Sequence, residues 1–247
     1  MEMVPGLIMH RLTHLQQKEI KFTMSRKQID MSKYPRLDHF NHFLAMDHPC
    51  ASVTVQVDIT DFVPRIKAAG YPFFLSFQYA AVHAANRIPE FRQRILNGAI
   101  LEYDFCNPSY TVALPDGTYR YCLVNANQPF PQYLEEGRIK QAAAIESEHL
   151  EEEGDDVMRL LFTSSVPWLN YTEAMMPYPD NHFSTPNICW GGYKSEKYLC
   201  LEDGMVTEKV KISIPVTLLI NHALIDGLHI GQFYRNLDEE LKNFKFS

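Results

Sequence analysis

The sequence predicts an α/β protein, a two-layer sandwich in which helices pack on a central mixed sheet. Three observations support this architecture. Apolar residues alternate with a period of two in several short segments, recur every three or four residues in others, and two Gly-containing turn signals separate pairs of apolar runs. No composition break marks a linker, so the interspersed segments indicate helices and strands that share one core.

The first half of the chain predicts its elements in order. The segment CASVTVQVDIT alternates as a strand does, and the DITDF at its end offers capping side chains for a helix. The stretch PFFLSFQYAAVHAANRI places apolar residues on one helical face and predicts a buried helix. Asn-Gly at 97–98 and Asp-Gly at 116–117 each lie between apolar runs, so each predicts a β-hairpin.

The second half begins with an Ala- and Glu-rich stretch, FPQYLEEGRIKQAAAIESEHLEEEGDD, which predicts a long exposed helix with an acidic, solvated end. Three strands are predicted after it, in RLLFTSSVPWLNY, PNICWGGYK and KVKISIPVTLLINHA, and HIGQFYRNLDEELKNF predicts a closing helix. We expect residues 1–33 to be an N-terminal extension, with Met24 as an alternative start, and residues 34–247 to form a single domain.

Charge and composition exclude several classes of protein. A net charge of −7 and a pI near 5.8 argue against nucleic acid as a partner, because neutralising phosphates requires clustered Lys and Arg. The apolar runs are far shorter than the roughly 20 residues that cross a membrane, and no secretory signal is recognisable, so we expect a cytoplasmic protein. Five widely spaced cysteines without a C-x-x-C pair indicate reduced packing residues.

The most informative stretch is the junction between the last strand and the last helix. The apolar run 214–220 ends in Asn221 and His222, and Asp226 and Gly227 follow before the helix. A strand end is rigid enough to present an imidazole to a cleft, and a neutral imidazole suits proton transfer near neutral pH. The alternative is a histidine that only satisfies hydrogen bonds at the end of a strand.

The residues NHALIDG resemble the H-H-x-x-x-D-G signature of the chloramphenicol acetyltransferases and of the wider CoA-dependent acyltransferases. Three further stretches agree in order and spacing: YPRLDHFNHF resembles W-x-R-x-x-H-F-x-F, VDIT resembles the strand that follows, and FTSSVPWLNY resembles F-S-I-S-A-L-P-W-V-N-F. The resemblance covers residues 34 to 244. It implies the family fold and transfer of an acetyl group from the cosubstrate acetyl-CoA to a hydroxyl of a small molecule, with chloramphenicol as a candidate acceptor.

The resemblance also implies catalytic roles. His222 would be the general base that takes the proton of the acceptor hydroxyl. Ser165 would donate a hydrogen bond to the oxyanion of the tetrahedral intermediate, and Ser164 is its nearest alternative. Arg36 would pair with Asp226 and hold the catalytic turn in place, a role of positioning more than of net stability.

Binding residues follow from the same match. Trp168 and Tyr193 correspond to positions near the pantetheine arm of CoA, and Cys189 falls where the family often has Thr. His42 and Phe43 begin the segment that lines the family's acceptor pocket. The chemistry requires no metal, and the spaced histidines around residue 42 lack the Cys or carboxylate partners of a metal site.

Two residues depart from the family pattern. Asn221 stands where many members have the first His of the signature, which leaves proton abstraction intact and alters the hydrogen bonds of the turn. Asp47 lies in the acceptor segment, where a carboxylate is costly unless it is paired or faces water. The resemblance therefore supports a hydroxyl acceptor more firmly than it supports chloramphenicol itself.

The resemblance implies a homotrimer with shared active sites, in which His222 faces a pocket built by the neighbouring chain, with Phe43 in the neighbour's half. Trp190 and Phe183 are expected to be exposed aromatics at such an interface, with burial in the core as the alternative. Residues 1–33 are too short for the lipoyl domain of 2-oxoacid dehydrogenase acyltransferases. The competing function is a catalytically degenerate acyltransferase fold that binds CoA or a small molecule without turnover.

Overall fold

The computed structural model describes residues 26–150, 157–178 and 183–246. Its strands and helices, in chain order, are β1 Arg26–Gln28, α1 Leu37–Leu44, β2 Cys50–Asp58, α2 Phe62–Ala68, α3 Phe73–Asn86, β3 Gln93–Leu96, β4 Ala99–Tyr103, β5 Asn107–Ala113, β6 Tyr119–Leu123, α4 Phe130–Glu146, β7 Leu160–Val166, β8 Asn187–Gly191, β9 Lys194–Glu202, β10 Met205–Asn221 and α5 Gly227–Lys242. None of the described helices is long and apolar enough to cross a membrane.

The large sheet contains seven strands in the order β2-β10-β8-β7-β5-β6, with β9 paired to the outer part of β10. Strand β10 runs antiparallel to β2 and β8, whereas β7 is parallel to both β8 and β5. A small sheet, β1-β4-β3, lies beside it. The predicted mixed sheet with helices packed on it is confirmed.

The two faces of the large sheet differ in character. One face carries apolar side chains against α3, where the Trp190 ring lies 5.3 Å from Phe74 and 5.2 Å from Phe77. The opposite face carries hydroxyl groups, including a Thr54–Thr217 hydrogen bond of 2.7 Å. Because successive side chains in a strand alternate between faces, neighbouring residues of one strand serve either the core or this polar face.

The predicted hairpins are both confirmed. Leu96 pairs with Ala99, and Asn97 and Gly98 between them have φ values of 51° and 75°, as a tight two-residue turn requires. The second hairpin joins β5 to β6 through a longer turn that contains Gly117 at a φ of 85°. The predicted strand and buried helix of the first half correspond to β2 and α3, and the closing helix corresponds to α5.

The expected exposure of Trp190 is wrong, and that of Phe183 and of the long helix is met only in part. Trp190 is only 2% exposed, because it lies on the helix-covered face of the sheet, and so it is a core residue and not an interface residue. Phe183 is half-buried and stacks on Phe162 with ring centroids 6.0 Å apart. Helix α4 is also less exposed than predicted, since it buries Phe130 and Tyr133. The acidic run 151–156 lies outside the described residues.

One element has no counterpart in the predicted list. Residues 205–212 of β10 pair only with β9, so the two strands form a ribbon that extends past the rest of the sheet. Its turn contains Asp203 and Gly204, both at positive φ. Several of its large apolar side chains are exposed: Leu199, Leu201, Met205 and Val206. Residues 26–33, expected in an extension, form β1 and a 3-10 turn at 31–33.

Candidate active site

His222 directly follows the last residue of β10. Its backbone N–H donates to the carbonyl of Pro49 at 2.8 Å, which fixes the turn against the start of β2. Its ring stacks on the Phe43 ring with centroids 4.0 Å apart and an interplanar angle of 13°. The ring Nδ1 is buried and has no hydrogen-bond partner among the described residues.

The segment around α1, predicted to line the acceptor pocket, therefore lies beside His222 of the same chain. Phe43 is half-buried against the imidazole of its own chain, so its expected place in the neighbour's half is wrong. His42 is exposed, and its ring centroid lies 5.1 Å from that of Phe43. Asp47 is exposed to solvent, so its carboxylate does not carry the free-energy cost of a buried charge.

The predicted pairing of Arg36 with Asp226 is confirmed, with Arg36 Nη2 and Asp226 Oδ2 3.0 Å apart. Arg36 Nη1 also donates to the carbonyl of Leu224 inside the turn. Asp226 Oδ1 accepts from the Leu228 N–H at 3.0 Å and so caps α5. Burial alone would raise the pKa of Asp226, but His229, Arg36 and backbone donors together hold it below its usual value.

His229 belongs to this turn and was missed from the sequence. Its Nδ1 accepts from the Asp226 backbone N–H at 3.1 Å, and its Nε2 lies 3.6 Å from Glu90 Oε1. His229 occupies the third helical position, where a capping box usually has Glu or Gln. The position of His229 three residues after the N-cap Asp226 was the signal in the sequence that could have identified it.

Asn221 holds the turn on its other side. Its Oδ1 accepts from the Ala223 N–H at 3.0 Å, and its Nδ2 donates to the Phe183 carbonyl at 3.0 Å. The amide thus connects the turn after β10 to the segment that leads into β8.

The two candidate serines of β7 point to opposite faces of the sheet. Thr163 Oγ1 accepts from Gln78 of α3 at 2.6 Å, so Thr163 faces the helices. Ser165, two residues on, shares that face and is the register partner of Trp190. Ser164 faces the polar side and is the register partner of Cys189. The geometry therefore places Ser164, and not Ser165, on the open face.

Ser164 lines a cavity of about 490 Å³ on that face. Most of the wall is apolar, and its polar atoms come from hydroxyl and amide side chains, with no charged residue among the described lining. The side chains that define its character are Thr111, Tyr121, Leu123, Leu160, Phe162, Ser164, Met176, Phe183 and Asn187. A cavity of this kind suits a small neutral molecule.

The structure does not bring His222 and Ser164 of one chain together. Ser164 lies level with Cys189 and Thr217 across the sheet, and His222 is five residues beyond Thr217 along β10. At about 3.4 Å per residue and about 4.8 Å per strand, the two are about 20 Å apart. If His222 is the base and Ser164 the oxyanion donor, both must lie about 3 Å from the reacting group, so the two side chains of a single chain are too far apart to act together.

The expected CoA residues cluster at the other end of β7 and β8. Trp168 is 81% exposed in the turn after β7, and Tyr193, 41% exposed just after β8, lies 5.3 Å from Phe73. Cys189 is buried, its backbone carbonyl accepts from Tyr171 Oη at 3.1 Å, and burial raises the pKa of its thiol. No group of three or more metal-ligating side chains occurs among the described residues.

Comparison with known proteins identifies similar molecules. A family model described as chloramphenicol acetyltransferase matches residues 24–238. The chain is 24% identical over 220 residues to a chloramphenicol acetyltransferase of Proteus mirabilis, covering 85% of this chain and 92% of that protein. It is 26% identical over 224 residues to one of Clostridium perfringens, covering 88% and 95%.

Solved structures agree with the sequence matches. A chloramphenicol acetyltransferase structure superposes with a TM-score of 0.68 at 25% identity, covering 89% of this chain and 99% of that chain. A probable dihydrolipoamide acetyltransferase of Listeria monocytogenes superposes with a TM-score of 0.61 at 19% identity, covering 85% and 91%. The second likeness extends to the fold alone.

Proposed function

Because this chain belongs to the chloramphenicol acetyltransferase family and is therefore an acyltransferase, we propose that it moves an acetyl group from acetyl-CoA to a hydroxyl of a small neutral molecule. The observation that carries this proposal is the turn 221–226, in which the Arg36–Asp226 ion pair holds the backbone that presents His222. The cavity beside Ser164 supplies a neutral, mostly apolar place for the acceptor.

The reaction needs one base and one oxyanion donor. His222 Nε2 takes the proton of the acceptor hydroxyl as its oxygen attacks the thioester carbonyl carbon of acetyl-CoA. The tetrahedral intermediate collapses with cleavage of the carbon–sulfur bond, and the thiolate of CoA takes the proton back from the imidazolium. The products are the acetyl ester and free CoA thiol, so atoms and charge balance.

Ser164 is the better oxyanion donor of the two serines. Its side chain lies on the face that holds the cavity, whereas Ser165 shares the helix-covered face with Trp190. A hydroxyl on the open face can donate to charge that develops on the carbonyl oxygen of the thioester. We therefore assign the role to Ser164 and not to Ser165.

A complete site in this proposal requires two chains. The separation of about 20 Å between His222 and Ser164 within one chain is bridged when the His222 half of one subunit faces the Ser164 half of its neighbour. A cyclic trimer repeats this contact three times. Trp168 and Tyr193, exposed next to the Ser164 half, would contact acetyl-CoA there.

The competing function is a CoA-binding protein without turnover. Against it stand the intact imidazole, the ion-paired turn and an open-face serine, which a non-catalytic protein has no need to retain together. The discriminating experiment measures thiol release from acetyl-CoA with a panel of hydroxyl acceptors that includes chloramphenicol, beside calorimetry of acetyl-CoA binding. Thiol release that depends on the acceptor supports transfer, whereas tight binding with no release for any acceptor supports the binder.

A further inference from the structure

The wall of the cavity contains a polar side chain that acetyl transfer itself does not use. Asn187 is the first residue of β8, and its register partners are Phe162 on β7 and Leu219 on β10. It therefore shares the open face of the sheet with Ser164 and lines the same cavity. Its amide can both donate and accept hydrogen bonds.

The amide nitrogen of Asn187, Nδ2, is buried and has no hydrogen-bond partner among the described residues. A buried donor without an acceptor costs free energy, and an apolar side chain of the same size, such as Leu, would avoid that cost. Unpaired polar groups in a binding cavity are a means of selecting ligands that supply the missing partner.

The surroundings restrict what that partner can be. Phe162 and Phe183 stack at an interplanar angle of 18° in the wall next to Asn187, and the described lining carries no charged side chain. A charged ligand would lose its hydration there without gaining a counter-charge. The partner atom is therefore an oxygen acceptor on a neutral molecule with a flat apolar part.

We propose that Asn187 is a specificity residue, whose amide donates a hydrogen bond to a carbonyl, nitro or ether oxygen of the neutral acceptor while the acceptor's hydroxyl reacts beside Ser164. Ser164 is two residues along β7 from Phe162, so the backbones of Asn187 and Ser164 are about 8 Å apart. A small aromatic alcohol with an oxygen opposite its hydroxyl spans this separation. The proposal rests on the proposed acetyl transfer.

The test uses two alcohols of nearly the same shape, 2-(4-acetylphenyl)ethanol and 2-(4-isopropenylphenyl)ethanol, which differ in a carbonyl oxygen against a methylene group. Thiol release with acetyl-CoA gives kcat/KM for each alcohol with the wild type and with Asn187→Leu. We expect kcat/KM of the wild type to be about 10-fold higher for the ketone than for the alkene. Asn187→Leu should lose this preference because kcat/KM falls for the ketone and stays the same for the alkene. A purely structural role of the amide would change both alcohols equally.

The control is Asn127→Leu, the same substitution at an exposed loop position, which should retain the wild-type preference. Asn187→Leu should melt no lower than the wild type, because it removes an unpaired buried donor. An equal ratio of the two alcohols in the wild type and Asn187→Leu would overturn the proposal.

Failure of acetyl transfer is distinguishable from failure of the Asn187 assignment. If the wild type releases no thiol with these alcohols or with chloramphenicol, the proposed function fails. Calorimetry of the two alcohols then tests Asn187 directly, with tighter binding of the ketone expected for the wild type and lost in Asn187→Leu. Equal binding of both alcohols by the wild type would contradict the assignment.

Discussion

His222, the proposed general base, makes two contacts that hold it in place. The ring stacks on Phe43, and its backbone is tied to Pro49. We expect His222→Ala to lower kcat by about 10²- to 10⁴-fold, because a positioned general base is removed. Phe43→Ala should lower kcat less, since the base remains. His222→Ala should unfold at the wild-type denaturant concentration, and near wild-type turnover of this variant would show that another group is the base.

The two serines of β7 give a paired prediction at the same scale. Ser164→Ala should lower kcat by about 10²- to 10³-fold with little change in KM, because an oxyanion donor acts mainly in the transition state. Ser165→Ala should leave kcat near the wild-type value, since its side chain faces the helices beside Trp190. Steady-state thiol-release kinetics of the two variants decide between them, and the reverse order of effects would return the role to Ser165.

Single residues differ in how far the sequence could identify them. The pairing of Arg36 with Asp226 was predictable because both residues fall within recognisable motifs. The choice between Ser164 and Ser165 was not, because a one-residue shift moves a strand side chain to the other face, and TSSV gives no periodic signal. Asn187 could not be singled out from the sequence, because only the folded structure shows that its Nδ2 is buried without a hydrogen-bond partner among the described residues.

At the scale of elements, the junction of β10 and α5 depends on the charge of Asp226. Asp226→Asn keeps a good N-cap but removes the charge that pairs with Arg36. Since the folded-state pKa of Asp226 lies below its usual 3.8, the charge stabilises the fold above that pH, and this contribution disappears as the pH falls through the lowered pKa. Asp226→Asn should therefore be less stable than the wild type at pH 7 and equal to it in acid.

Denaturant titrations from pH 7 down to about pH 2 check this dependence, because the contribution is lost only as the pH falls below 3.8 through the lowered pKa. Asp226→Ala should lose about 1 kcal/mol more than Asp226→Asn at every pH, because it also removes the cap. The control is Asp238→Asn, which breaks an exposed pair with Lys242 at 2.7 Å and should change stability by about 0.5 kcal/mol or less. A stability difference between Asp226→Asn and the wild type that persists unchanged in acid would contradict the role of the charge.

A close approach at the end of β8 gives another prediction for an element. A Cβ atom at Gly191 would lie 2.4 Å from the carbonyl oxygen of Leu169 and 2.8 Å from Cγ of Pro215. Gly191→Ala must therefore displace the turn that carries Trp168, and we expect it to cost about 1–3 kcal/mol of stability. Gly231→Ala is the matched control, because its Cβ meets only Arg235 Nη1 at 3.6 Å and the change should stabilise α5 by roughly 0.5–1 kcal/mol.

Thermal melts of the two glycine variants should therefore shift in opposite directions.

Element by element, regular alternation and heptad-like spacing were enough to identify β2, α3 and α5. Strand β9 was not recognised because KSEKYLCLE mixes charged and apolar residues on both faces, as a solvent-exposed ribbon does. The burial of Trp190 in the PNICWGG segment could not be predicted, because the same local sequence is compatible with a core position and with an exposed sheet edge. Packing against α3 in the folded chain makes Trp190 a core residue.

For the whole molecule, the proposed sharing of the site between two chains predicts that activity depends on the assembly. Neither His222→Ala nor Ser164→Ala should be active alone, but co-refolded mixtures should recover activity, because an interface can combine Ser164 of the first variant with His222 of the second. In an equal random mixture about a quarter of the interfaces are intact. Thiol release of co-refolded and of separately refolded, then mixed, samples measures the effect.

The matched control for this experiment pairs His222→Ala with Phe43→Ala. His222 and Phe43 stack on each other within one chain. In this mixture the only intact His222 comes from the Phe43→Ala chain, where it has lost its stacking partner. That mixture should gain no activity beyond what the Phe43→Ala chain contributes by itself. A monomer mass in light scattering, or no recovery with the Ser164 variant, would contradict a site shared between chains.

The chain has two tryptophans in opposite environments, Trp190 at 2% exposure between the sheet and α3 and Trp168 at 81% exposure in the turn after β7. Indole emission moves to shorter wavelength in apolar surroundings, so the protein carries two optical probes of separate events. In Trp168→Phe, the remaining emission follows the packing of the core during unfolding. In Trp190→Phe, the remaining emission comes from Trp168 and reports the polarity around the turn that carries it. A change of this emission on titration with CoA would report CoA binding, and a change on dilution would report dissociation of the proposed assembly.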